Sequence, residues 1–155
     1  MVRMNRRDWK KIRRILESGW SKKTAHPDYR DDYDDYVKKG IPSYGQCYVT
    51  ARAIHKVFKG KIIYNKEKNH YWNMLPDGTE LDFTSDQFHG KFHGDGINPV
   101  KNLEGKIDNR KYVYPPSNDR VRKYFEVVLD KLKKAAVEFK KTFKKENQII
   151  KSNFT

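Results

Sequence analysis

Residues 69–84 constrain this chain more than any other stretch. Two runs rich in β-formers, 69–75 and 79–84, flank Pro76-Asp77-Gly78. That pattern predicts a β-hairpin. A three-residue Pro-Asp-Gly loop suits a type I turn followed by a left-handed glycine and a bulge. In that register Leu75 faces Thr79, and Trp72 faces Asp82. His70 then shares a sheet face with Trp72 and lies diagonal to Asp82. Diagonal neighbours sit about 7–8 Å apart at the backbone, within reach of long side chains. A two-residue loop would shift the register by one and put His70 and Asp82 on opposite faces.

Upstream, Gly40 to Gly45 (GIPSYG) reads as a loop, broken by Pro42 and the glycines. A helix is expected from 46 to 58, stopped at Gly60. Cys47, Ala51, Ile54 and Phe58 make one stripe along it. Cys47 falls in its first turn, where free N–H groups and the helix dipole favour a thiolate and can hold an oxyanion. The plainer reading is a buried structural cysteine on an apolar stripe, and position alone does not separate the two. Likewise, an edge-strand His70 and a strand carboxylate at Asp82 are unremarkable singly. Together with Cys47 they meet the pattern of nucleophile, base and orienting carboxylate.

The remaining elements are helical. Residues 5–19 form an amphipathic helix with Asn5 as cap and Asp8 three positions on. Trp9, Ile12, Leu16 and Trp20 face inward, and Arg6, Arg7, Lys10, Arg13 and Arg14 face solvent. A short helix is expected over 28–38, with Tyr29, Tyr33 and Tyr36 opposite Asp28, Asp31, Asp32 and Asp35. Those carboxylates could hold a cation, pair with basic residues, or face water. Residues 61–64 form a further strand, and 86–116 are loop-rich. Ser117 is expected to cap a helix over about 118–145 with Val121, Tyr124, Phe125, Val128, Leu129, Leu132, Ala136 and Phe139 on its buried stripe. The last ten residues are expected to fray.

Composition limits the function classes. The 155 residues fit a single domain, 1–155, with a core over about 9–132 and a basic helical tail over about 133–155. Hydrophobic residues make up only 36%, but aromatics reach 14% and bury large areas each. The single cysteine excludes an intrachain disulfide and a cysteine-built zinc site. His89 and His93 have metal-like spacing only on a helix, and the glycines around them argue for a loop. No metal and no cofactor are expected. No apolar run approaches a membrane span, and MVRMNRRDW lacks the apolar stretch of a signal peptide, so the cytoplasm is the expected location and no membrane partner is expected. The net charge of +14, concentrated at both ends, attracts polyanions such as nucleic acid or an acidic protein. It also serves simple solvation.

The motif pair resembles a known family. GQCYVTA at 45–51 opening a helix, HYWNMLPDGTELDFT at 70–84 and DQF at 86–88 resemble the YunG family, over about residues 9–132. The chain order Cys, His, Asp also resembles the transglutaminase-like core of papain-like cysteine enzymes. The resemblance implies an α+β papain-like fold, its nucleophile helix packed on a small antiparallel sheet with flanking N- and C-terminal helices. It implies Cys47 as nucleophile with His70 and Asp82 behind it, acting on a substrate carbonyl in a protein, peptide or small amide. Gln46 could donate near the oxyanion or cap the helix. Trp72 would shield the pair from water, and Asn73 flanks the histidine strand. The expected chemistry is cysteine-dependent hydrolysis or acyl transfer; the competing expectation is a non-catalytic module of the same fold that binds nucleic acid, a nucleotide or an acidic protein. The 28–36 segment and the 133–155 tail look like additions, and the short Cys-to-His interval implies a reduced sheet.

Overall fold

The fold, seen in a computed structural model, is described for residues 4–89 and 92–153. Helix α1 spans Arg6–Glu17, α2 Tyr33–Lys38, α3 Cys47–Phe58 and α4 Asp119–Asn153. Strands β1 (Lys61–Asn65), β2 (His70–Met74), β3 (Glu80–Leu81) and β4 (Lys106–Ile107) form an antiparallel sheet in the order β3-β2-β1-β4. The architecture is α+β, with a small antiparallel sheet and flanking helices.

Helix α1 starts with a reciprocal capping box: Asp8 N–H donates to the Asn5 side chain, and Asn5 N–H donates to the Asp8 carboxylate. Its Trp9, Ile12 and Leu16 enter a core shared with α3, α4 and the hairpin. Tyr124 of α4 ties the layers by donating to the Leu16 carbonyl at 2.9 Å. Arg13 departs from the solvent role expected of it. It turns inward and donates to the Phe83 carbonyl and to both oxygens of Asp86, with its cation over the Trp20 ring.

Helix α3 is buried well beyond its expected stripe: Val49, Thr50, Arg52 and Ala53 are buried along with Cys47, Ala51 and Ile54. It lies between the sheet and α4 and so has little free face. Arg52 is accommodated by stacking between Tyr112 and Tyr114 and donating to the Tyr48 hydroxyl. The helix ends with both Lys59 and Gly60 at positive φ.

The hairpin has the expected register. Asn73 pairs with Leu81 and Met74 with Glu80, and Leu75 N–H donates to Thr79 O at 2.8 Å. Gly78 N–H closes the turn on Leu75 O, with Gly78 at φ 87°, a conformation only glycine adopts without strain. The returning strand is shorter than expected. It ends at Leu81, and Asp82 N–H turns away to Ile97 O, so 83–89 wraps the sheet instead of extending it.

Three further expectations need correction. The 28–38 helix is broken into a single 3-10 turn, Pro27–Tyr29, and the short α2, because Asp31 and Asp32 favour turns over helix interiors. The cap of α4 is Asn118, not Ser117: its side chain accepts from Arg120 N–H at 2.9 Å. Helix α4 also runs on to Asn153 instead of fraying ten residues earlier. Within the loop-rich 86–116 stretch, β4 pairs with β1 although two residues are too few to show a period.

Candidate active site

The site forms where the start of α3 meets the start of β2. His70 is fully buried, Asp82 is 1% exposed and Cys47 is 8% exposed. His70 Nε2 lies 2.6 Å from Asp82 Oδ2. The other carboxylate oxygen accepts from Thr84 N–H and from its hydroxyl. The Cys47 thiol donates to the carbonyl of Asn69, the residue before His70, at 3.7 Å and lies within electrostatic range of the imidazole. Burial alone would lower the His70 pKa. The Asp82 carboxylate at its Nε2 more than reverses this, the Cys47 thiol adds to it, and the pKa is pushed up to about 10.

Each chain feature behind this placement is local. Gly45 has φ 72°, and a Cβ added to it would come within 3.0 Å of the Tyr29 Cβ, so a side chain there would be both strained and crowded. That left-handed step turns the loop into α3 and leaves Cys47 as its first helical residue. The hairpin brings Asp82 back alongside His70 one residue after β3 ends. The two faces of β2 then diverge. Tyr71 and Asn73 face α3: Tyr71 meets Tyr48, and Asn73 donates to the Ala51 carbonyl at 2.9 Å. His70 and Trp72 face the wrapping segment, with Phe88 edge-on to the imidazole at 4.7 Å.

The other sequence-derived candidates divide accordingly. Trp72 is buried, stacks on His70 at 5.6 Å and donates to Glu80, so it covers the imidazole. Asn73 points to the opposite face and fastens α3 to the sheet. Gln46 does not cap the helix. Its buried amide donates to Ser21 O at 2.8 Å and accepts from the Thr24 hydroxyl, holding the 21–24 turn in place. His89 lies against Tyr36, and His93 contacts the Phe88 carbonyl. The Asp-rich segment scatters its carboxylates: Asp28 to His26, Asp32 to Tyr44, Asp34 to Lys22. Among the described residues no group of His, Cys, Asp or Glu is arranged to hold a metal ion.

The family model described as YunG protein matches residues 8–126, most of the chain. The chain belongs to the YunG family. A curated relative, the uncharacterized protein YunG of Bacillus subtilis (strain 168), is 30% identical over 105 residues, which is 66% of this chain and 82% of the relative. No solved structure matches. The YunG match spans Cys47, His70 and Asp82 together with both arms of the hairpin, and it stops within the first turns of α4. No helix among the described residues is long and apolar enough to cross a membrane.

One residue of the YunG match was missed as a member of the site. Gln87 accepts from Gly45 N–H at 3.2 Å through Oε1 and places Nε2 3.1 Å from His70 Nδ1. The backbone donor fixes which end of the amide faces the ring. Gln87 therefore bridges the loop before Cys47 to the imidazole. The only sequence signal was its place in DQF, directly after the aspartate strand. A groove of about 990 Å³ lies elsewhere, floored by Trp9, Phe58 and Leu75 and walled by the end of α4.

Proposed function

We propose that Cys47, His70 and Asp82 are the catalytic triad of a papain-like, transglutaminase-like cysteine enzyme that hydrolyses amides or transfers acyl groups. The observation that carries this reading is the buried His70, held by Asp82 through Nε2 at 2.6 Å, with the Cys47 thiol on the carbonyl of the adjacent Asn69. An Asp at one nitrogen fixes the ring and supports the imidazolium that forms when the other nitrogen takes a proton.

In this reading the Cys47 proton moves to His70 Nδ1, and Sγ attacks a substrate carbonyl carbon. The oxyanion is held by free backbone N–H groups at the start of α3. The intermediate collapses to a thioester as His70 returns the proton to the departing amine. Water or an amine, deprotonated by His70, then attacks the thioester and releases Cys47 as the thiol. Hydrolysis and transfer differ only in that second nucleophile.

Iodoacetamide alkylation of Cys47, followed by mass spectrometry, tests the reading. His70→Ala is expected to slow alkylation near neutral pH at least tenfold, because the base is lost. An unchanged rate in a folded His70→Ala protein would refute an activated thiol.

A further inference from the structure

Positive charge beside Cys47 is left without a counter-charge. Arg120, in the first turn of α4, carries its guanidinium 5.5 Å from the ring of Tyr48, the residue after Cys47. It lies within electrostatic range of Cys47, Arg30 and Tyr71, and His26 feels it too. Its Nη1 is shielded from solvent and has no hydrogen-bond partner among the described residues. The carboxylate next to it in sequence, Asp119, is engaged by Arg122. Arg30 brings a second cation, with Nε and Nη2 donating to the Ala25 and Lys23 carbonyls. Arg110, which donates to Tyr71, is neutralised by Asp108.

A half-buried guanidinium with an unmet donor and cationic neighbours is costly in an empty site. The arrangement makes physical sense if an anion completes it. A planar fork of N–H donors fits a carboxylate in two-point contact. The tyrosine rings of Tyr48 and Tyr71 would flank the ligand beside it.

We propose that Arg120 anchors an anion subsite next to Cys47, so that the substrate is an acyl compound carrying a carboxylate a few bonds from the carbonyl attacked. This rests on Cys47 being the nucleophile. It assigns the site a substrate class: amides or related acyl compounds of acidic molecules, not neutral ones.

Two alkylating reagents that differ in charge test it on the full-length chain. Iodoacetate carries a carboxylate one carbon from the atom attacked, and iodoacetamide is its neutral counterpart. The ratio of their rates at Cys47 is measured against the same ratio for free cysteine at the same pH and ionic strength. The wild-type ratio is expected to exceed the reference about tenfold, the worth of one charge-assisted contact. In Arg120→Met the excess disappears while the iodoacetamide rate changes little, and Arg120→Lys restores part of it. A wild-type ratio equal to that of free cysteine overturns the subsite, and this comparison needs no variant to fold. Equal slowing by both reagents in Arg120→Met also overturns it, because Arg120 would then serve the thiol and not the incoming anion. A His70-dependent iodoacetamide rate without anionic preference sinks the subsite alone. An iodoacetamide rate independent of His70 sinks the nucleophile reading, and a thiol untouched by either reagent sinks both.

Discussion

His70 is contested from its two sides. Asp82 at Nε2 favours the charged ring, while Gln87, its amide fixed by Gly45 N–H, presents a donor to Nδ1. That donor is satisfied only when Nδ1 is unprotonated, so Gln87 opposes the proton transfer that would activate Cys47. Gln87 is thus a positioning residue whose removal favours the thiolate–imidazolium pair. In Gln87→Ala the pH midpoint of iodoacetamide alkylation is expected to fall by roughly half a unit to one unit, the worth of one hydrogen bond. An unmoved midpoint would reduce Gln87 to a prop for Gly45. The Asp82 contact has a separate consequence for stability. The His70 pKa rises from 6.5 in the unfolded chain to about 10 in the fold, so folding is accompanied by extra proton binding between those values. The stabilisation is fully present below about pH 6.5 and is lost as the pH rises toward 10. Urea unfolding followed from pH 6 to 10 should show declining stability in the wild type. Asp82→Asn should flatten the decline, since the partner that charges the ring is gone.

At the scale of elements, the segment after the hairpin sets the site, and α1 holds that segment. Arg13 reaches across from α1 to the Phe83 carbonyl and both oxygens of Asp86, on either side of the residues that lead from Asp82 to Gln87. With 15% of its side chain exposed, this is a pair whose breaking strands a carboxylate in a partly dry setting. Arg13→Ala is expected to cost about 2–3 kcal/mol in urea unfolding and to slow Cys47 alkylation. Full retention of both would mean that the 83–89 wrap is held by its own turns. The same segment marks the limit of what sequence pattern conveys. The hairpin register was legible because Pro-Asp-Gly dictates a turn type and period-2 alternation dictates faces, and that sufficed to bring His70 to Asp82. The start of α3 was legible from Gly45 and the apolar stripe. Arg13, Gln87 and Arg120 were not, because each acts through a contact more than ten residues away that no local period encodes. The broken 28–38 helix was missed for a related reason: tyrosine spacing suggested one face, while tertiary stacking of Tyr36 on Tyr44 needed only one helical turn.

For the molecule as a whole, charge and chemistry are set apart along α4. Its first turn carries Arg120 near Cys47, whereas its last buried residue among those described is Ala135. Beyond Phe139 the exposed Lys140, Lys141, Lys144 and Lys145 outnumber the one carboxylate of Glu146. The family match has already ended by then. If the net charge of +14 serves a polyanion, those lysines are the part of α4 free to meet it without involving the triad. Each phosphate neutralised by a lysine releases a counterion, so binding weakens with salt in proportion to the contacts made. A chain ending at Phe139 is therefore expected to keep the wild-type rate of Cys47 alkylation and to lose less than about 1 kcal/mol of stability, because no buried side chain among the described ones is removed. In a salt titration with a short DNA duplex it should show weaker binding at low salt and a shallower slope. Cys47→Ala should do the reverse, keeping the duplex affinity and slope while abolishing alkylation. A truncated chain with unchanged salt slope would place any polyanion contact elsewhere, at the basic face of α1. Failure of the full-length chain to bind the duplex at low salt would leave its lysines a solvating role and the anion-directed chemistry to Arg120 alone.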